Sequence, residues 1–140
     1  MKWIAILTTL GLGGCVAYPV YKTLQPHLEI TVVDDRNEPI HGAIVALISS
    51  SNPYGDEKRR EVQTTNNKGV VKFKKRSEWR IEALVIHGIE DFFWNWCVER
   101  EGFVTYETKN GVNDNPSSNI FIELEPGESE ECTMPYQMFK

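Results

Sequence analysis

From Leu28 to Pro126 the chain is a succession of short apolar–polar alternations broken by turn clusters, and this period of two constrains its fold most. LEITVV puts Leu28, Ile30 and Val32 on one face and Glu29 and Thr31 on the other. DDRNEP is a turn cluster, and HGAIVALISS, apolar on both faces, predicts a central strand. SSNPYGDEKRR reads as a polar loop. EVQTT and GVVKFKK flank Asn66-Asn67-Lys68-Gly69, which predicts a hairpin because Asn and Gly accept positive φ at small cost. WRIEALVIHG, FFWNWCVER, VTYETK and NIFIELEP supply further strands, and NGVNDNPSSN a long loop. No segment has a convincing helical period. About seven or eight strands at this spacing predict an all-β chain folded as a β-sandwich over residues 28–126.

FFWNWCVER sets the phase of its strand. Phe92, Trp94, Trp96 and Val98 share one face, opposite Phe93, Asn95, Cys97 and Glu99. The first set is expected in the core. Exposure of Phe93, Trp94 or Trp96 would instead make an anchor for a protein partner, since aromatics dominate such contacts. Cys97 then points outward, and Cys132 follows the last strand. A bridge between them would clamp the C-terminal tail, residues 127–140, which otherwise should fray.

The N-terminus reads differently. Lys2 precedes a short uncharged apolar run, Trp3 to Leu12, and glycines lead into Cys15. This is the layout of a secretory leader, and the run is far short of the roughly 20 residues a spanning helix needs. Leu12-Gly13-Gly14-Cys15 resembles the lipobox of bacterial lipoproteins. The resemblance implies removal of residues 1–14, acylation of Cys15 and a stable lipid anchor, with Val16 favouring the outer membrane and a periplasmic orientation. Residues 15–27 (CVAYPVYKTLQPH) would then be the lipidated N-terminus and a tether, having two prolines and no regular period.

With the leader gone, 126 residues remain, enough for one core. Losing Lys2 leaves 14 basic against 20 acidic residues, net −6, a poor match to nucleic acid or anionic lipid. Setting Cys15 aside leaves one pair, Cys97 and Cys132, in a compartment where disulfides persist. Two free thiols are the alternative. A metal site lacks the spacing of ligands that zinc requires.

VVDDRNEPIHGAIVAL is similar to the start of carboxypeptidase regulatory-like and transthyretin-like domains. The matching residues are Val32, Asp34, Pro39, Ile40, Gly42, Ala43, Val45 and Leu47. TTNNKGVVKF, Glu101-Gly102-Phe103 and FIELEP resemble later blocks of the same family, whereas Ile89 to Val98 departs from it in aromatic density. The resemblance implies a transthyretin-like, immunoglobulin-like sandwich. Its hydroxyisourate-hydrolysing members end in Tyr-Arg-Gly-Ser. This chain ends Tyr136-Gln137-Met138-Phe139-Lys140, so that activity does not transfer.

Little in the sequence suggests catalysis. Ser49, Ser50 and Ser51 lack a nucleophile-elbow setting, and His27, His41 and His87 are scattered. No cofactor motif is present. Lys58-Arg59-Arg60 and Lys74-Lys75-Arg76 are short basic runs that could form one patch for an anionic partner, or simply be solvated. The expectation is a non-enzymatic, lipid-anchored binding or structural protein serving an envelope or secretion complex. An immunity lipoprotein against a periplasmic toxin, with contacts at 49–60 and 109–119, and a small-ligand or glycan binder remain alternatives.

Overall fold

The computed structural model describes residues 17–52, 57–83, 90–108, 111 and 116–132. These residues form nine strands and no helix. The strands are β1 (Ala17–Gln25), β2 (Leu28–Asp34), β3 (Ile44–Asn52), β4 (Glu57–Thr64) and β5 (Val70–Phe73). They continue as β6 (Arg76–Ala83), β7 (Asp91–Glu99), β8 (Tyr106–Glu107) and β9 (Asn119–Leu124).

Two sheets, β5-β2-β9 and β4-β3-β7-β8, enclose the core in a sandwich-like arrangement. The longest ladder joins β3 to β7 in antiparallel register, from Ile44↔Glu99 to Asn52↔Asp91. β3 lies between β4 and β7 and is buried from Val45 to Ser51, which is why its sequence is apolar on both faces. β2 pairs antiparallel with β5 and parallel with β9. Leu28, Ile30 and Val32 meet Phe92, Trp94, Trp96 and Val98 across the interior. Each of these side chains contributes about 1.5–3 kcal/mol through removal from water.

The third sheet is the ribbon β1-β6: β1 lies in the segment the sequence marks as a tether, whereas β6 overlaps the strand expected at WRIEALVIHG. Its register runs from Ala17↔Ala83 to Gln25↔Arg76, with an irregularity between Thr23 and Gln25. Pro19 obscures the strand in sequence. It is tolerated because β1 has only one neighbour, so not every amide must donate. β1 passes into β2 at Pro26-His27, and β5 into β6 at Lys74-Lys75, so the ribbon continues the β2–β5 ladder beyond the sandwich. Gln25 fixes the junction: it is buried, and its Nε2 donates to the Lys74 carbonyl (3.0 Å) and to Glu61 Oε2 (2.9 Å).

Two further expectations change. Ser50–Asn52 complete β3 and Glu57–Arg60 open β4, so most of the predicted polar loop is strand. Edge strands tolerate charge because one side stays wet. Asn66–Gly69 is a tight turn but not a hairpin: β4 pairs with β3 and β5 with β2, so the chain crosses between sheets there. The turn chemistry itself holds. Asn66 Oδ1 accepts from Lys68 N (2.8 Å) and Val70 N (3.1 Å), and Gly69 has φ 71°.

Candidate functional site

The sulfurs of Cys97 and Cys132 lie at disulfide distance, with Cα atoms 6.0 Å apart. Cys97 stands on the outer face of β7 as its phase predicts, yet it is fully buried, because the tail covers it. Cys132 N donates to Glu99 Oε2 (3.2 Å), and Thr105 Oγ1 exchanges hydrogen bonds with Glu130. Glu107 completes a grouping of potential metal ligands with the two cysteines, but their sulfurs face each other. Residues 133–140 lie outside the described set, as do Cys15, His87 and most of the 109–119 loop.

The aromatic candidates are not surface anchors. Phe93, Trp94 and Trp96 are 5–6% exposed. Trp94 and Trp96 join the core, and Trp94 Nε1 donates to the Leu24 carbonyl (2.9 Å). Phe93 lies on the opposite face against Gly111. Among the described residues the exposed aromatics are instead Tyr21, Trp79, Tyr106 and Phe121. The missed signal was the alternation of Glu78, Arg80 and Glu82 with Ser77, Trp79 and Ile81.

The two basic runs do converge. Lys58, Arg59, Arg76 and Arg80 line a cleft of about 390 Å³, with Glu78 the one acid among the described lining residues and Leu24, Phe92 and Ser49 beside them. Register places Arg59 opposite Ser49 across the β3–β4 ladder. Ser49 is 2% exposed, and its Oγ has no hydrogen-bond partner among the described residues. A buried hydroxyl without a partner is costly and calls for a ligand or ordered water. Arg60 does not line the cleft. It forms a two-pronged pair with Glu57 (3.0 and 2.8 Å), which raises its pKa further. Behind the cleft, burial pushes the Glu61 carboxyl up, but donors from Gln25 and Gln63 and the charges of Arg59 and Arg76 outweigh it. Glu61 therefore stays below the usual carboxylate range.

The cleft's roof is the inner face of the ribbon. Lys22 pairs with Glu82 and donates to the Glu90 carbonyl. Arg80 bridges Glu78 (2.9 Å) and Glu90, with its guanidinium 5.4 Å from the centre of the Phe92 ring. Ser51 Oγ donates to Glu90 (2.7 Å), so this fully buried serine is committed to structure. The hydrogen bond from Lys22 holds the Glu82 carboxyl below its ordinary pKa. The outer face carries Pro19, Tyr21 and Thr23 opposite Ile81, Trp79 and Ser77, with no charge among them.

Comparison of the chain with known protein families, curated proteins and solved structures found no match. Among the described residues, no helix is long and apolar enough to cross a membrane.

Proposed function

We propose that the protein is a lipid-anchored, extracytoplasmic binding module on a transthyretin-like sandwich, a non-enzymatic accessory of an envelope or secretion complex. Acylation of Cys15 holds it at the periplasmic face of the outer membrane, and the basic cleft receives an acidic group of a protein partner. The observation that carries this reading is the convergence of Lys58, Arg59, Arg76 and Arg80 around the unpartnered Ser49 hydroxyl, on a protein of net charge −5. Arginines recognise carboxylates in a planar, two-bond geometry that point charges lack. A seryl hydroxyl at the floor of the cleft adds a donor.

In-cell photo-crosslinking tests the reading. A photoreactive residue at position 58 should capture one envelope protein that the same residue at position 121, on β9, does not. The adduct should vanish when Arg59→Glu and Arg76→Glu reverse the cleft's charge. An adduct indifferent to that reversal rules the cleft out. The anchor is judged separately: the N-terminal peptide of the mature protein should begin at Cys15 and carry acyl mass.

A further inference from the structure

The β1–β6 ribbon is amphipathic with its polarity inverted. Toward the sandwich it presents Lys22, Arg80 and Glu82, each held in an ion pair. Toward solvent it presents Pro19, Tyr21 and Thr23 against Ile81, Trp79 and Ser77, an uncharged band. Trp79 is 70% exposed, Ile81 78% and Tyr21 58%. From Ala17 to Thr23 the band extends about 20 Å. Scattered exposed apolar residues are ordinary, but a cross-strand row of them, with Lys22, Arg80 and Glu82 turned to the other face, marks a contact surface.

The position of the band along the chain selects its occupant. β1 begins at Ala17, two residues after Cys15, so acyl chains on that cysteine would enter the bilayer no more than about 7 Å of chain from the ribbon's first residue. A surface so close to the anchor meets headgroups before it meets a protein. Tryptophan and tyrosine favour that layer, where an apolar ring and a polar tip are both accommodated. Lys74 and Lys75, exposed where β5 passes into β6, suit anionic headgroups at the ribbon's other end.

We propose that the uncharged face of the β1–β6 ribbon seats in the headgroup layer of the membrane that holds the acyl chains. The domain is thereby fixed in orientation and does not swing on a free leash. This inference rests on the reading of Cys15 as the lipid anchor.

Depth-dependent quenching tests it on the mature full-length protein in phosphatidylethanolamine–phosphatidylglycerol vesicles. Trp3 leaves with the leader and Trp94 and Trp96 are buried, so Trp79 is the indole open to quenchers. Lipids brominated near the headgroup end of the acyl chain should quench its emission, and Trp79→Phe should abolish the quenchable component. Trp79→Glu with Ile81→Glu should leave the protein vesicle-bound and folded by circular dichroism, with its orientation lost. Acylated, vesicle-bound protein whose Trp79 is quenched by aqueous iodide and not by bromolipid overturns the seat while leaving the anchor. Protection from both quenchers, with concentration-dependent crosslinked dimers, overturns it in favour of a second copy. A Cys15 peptide without acyl mass overturns the anchor, and the seat with it.

Discussion

Across the β1–β6 ladder the rings of Tyr21 and Trp79 lie 5.2 Å apart, tilted by 53°, and both remain largely exposed. Tilted aromatic pairs at this distance gain about 0.5–1.5 kcal/mol beyond area burial, with exposed pairs at the low end. A double-mutant cycle of Tyr21→Ala and Trp79→Ala, read by urea unfolding, should give a coupling of about 0.5–1 kcal/mol. Trp94→Ala, by contrast, should cost about 3–5 kcal/mol, because it empties a core position. Equal losses for Trp79→Ala and Trp94→Ala would mean that the ribbon face is covered in the isolated protein.

The bridge between Cys97 and Cys132 closes a loop of 35 residues in sequence separation. Chain entropy assigns such a closure roughly 3–4 kcal/mol. Cys132→Ser should therefore lower the unfolding free energy by about that much. Alkylation without reduction should label neither cysteine of the wild-type pair. Protection of the Glu130 amide, which donates to Thr105 Oγ1 (3.0 Å), should fall in hydrogen exchange, since the bridge is what keeps the tail seated. A Cys132→Ser protein with unchanged stability and an unchanged Glu130 amide would show that the tail docks unaided.

Gly69 tests the turn that carries the chain between sheets. Its φ is 71°, and a Cβ there would press into the Val32 carbonyl oxygen. Gly69→Ala should destabilise by about 1–3 kcal/mol, through left-handed strain and displacement of β2. Gly102, also at positive φ (87°), has no heavy atom of the described residues, its chain neighbours aside, within 4 Å of a Cβ, so Gly102→Ala should cost less in the same urea titration.

The sandwich strands were legible wherever alternation was strict and one face was buried. Phe92, Trp94, Trp96 and Val98 fall on the core side of β7 as their spacing predicts. The outward phase of Cys97 was legible too, though not that the tail would bury it. The ribbon was legible only in part: β6 overlaps the strand expected at WRIEALVIHG, whereas β1 was hidden in the segment read as a tether. In β1 Pro19 interrupts the pattern, and in β6 Arg80, a charge of the kind that normally marks the wet face, points toward Phe92 and Glu90. Period alone gives two faces but not which one meets the protein. The basic cleft was half legible: both runs stand out in sequence, but Arg80 and Ser49 join them only through the ladders β1–β6 and β3–β4. The turn at Asn66–Gly69 had the right chemistry and the wrong partners, because local residues fix a reversal and distant ones decide which sheet receives the strand.

The ion cluster beneath the ribbon predicts a local response to acid. The hydrogen bond and charge of Lys22 lower the Glu82 pKa from the ordinary 4.5, so the folded state favours the carboxylate. A depressed carboxyl stabilises the fold above its unfolded pKa, and the contribution disappears as pH falls through the folded value. Protonating Glu82 also leaves the Lys22 ammonium without its counter-charge, close to Arg80 on the same ribbon face. Protection factors of β1 and β6 amides, corrected for intrinsic exchange, should therefore drop below the ordinary carboxyl pKa before those of β3 and β7. In Glu82→Gln the drop should be absent, with protection already reduced at neutral pH. A ribbon whose protection follows the sandwich at every pH in both proteins would show that Lys22 and Glu82 do not hold it down, and that Gln25 and the Trp94–Leu24 hydrogen bond suffice.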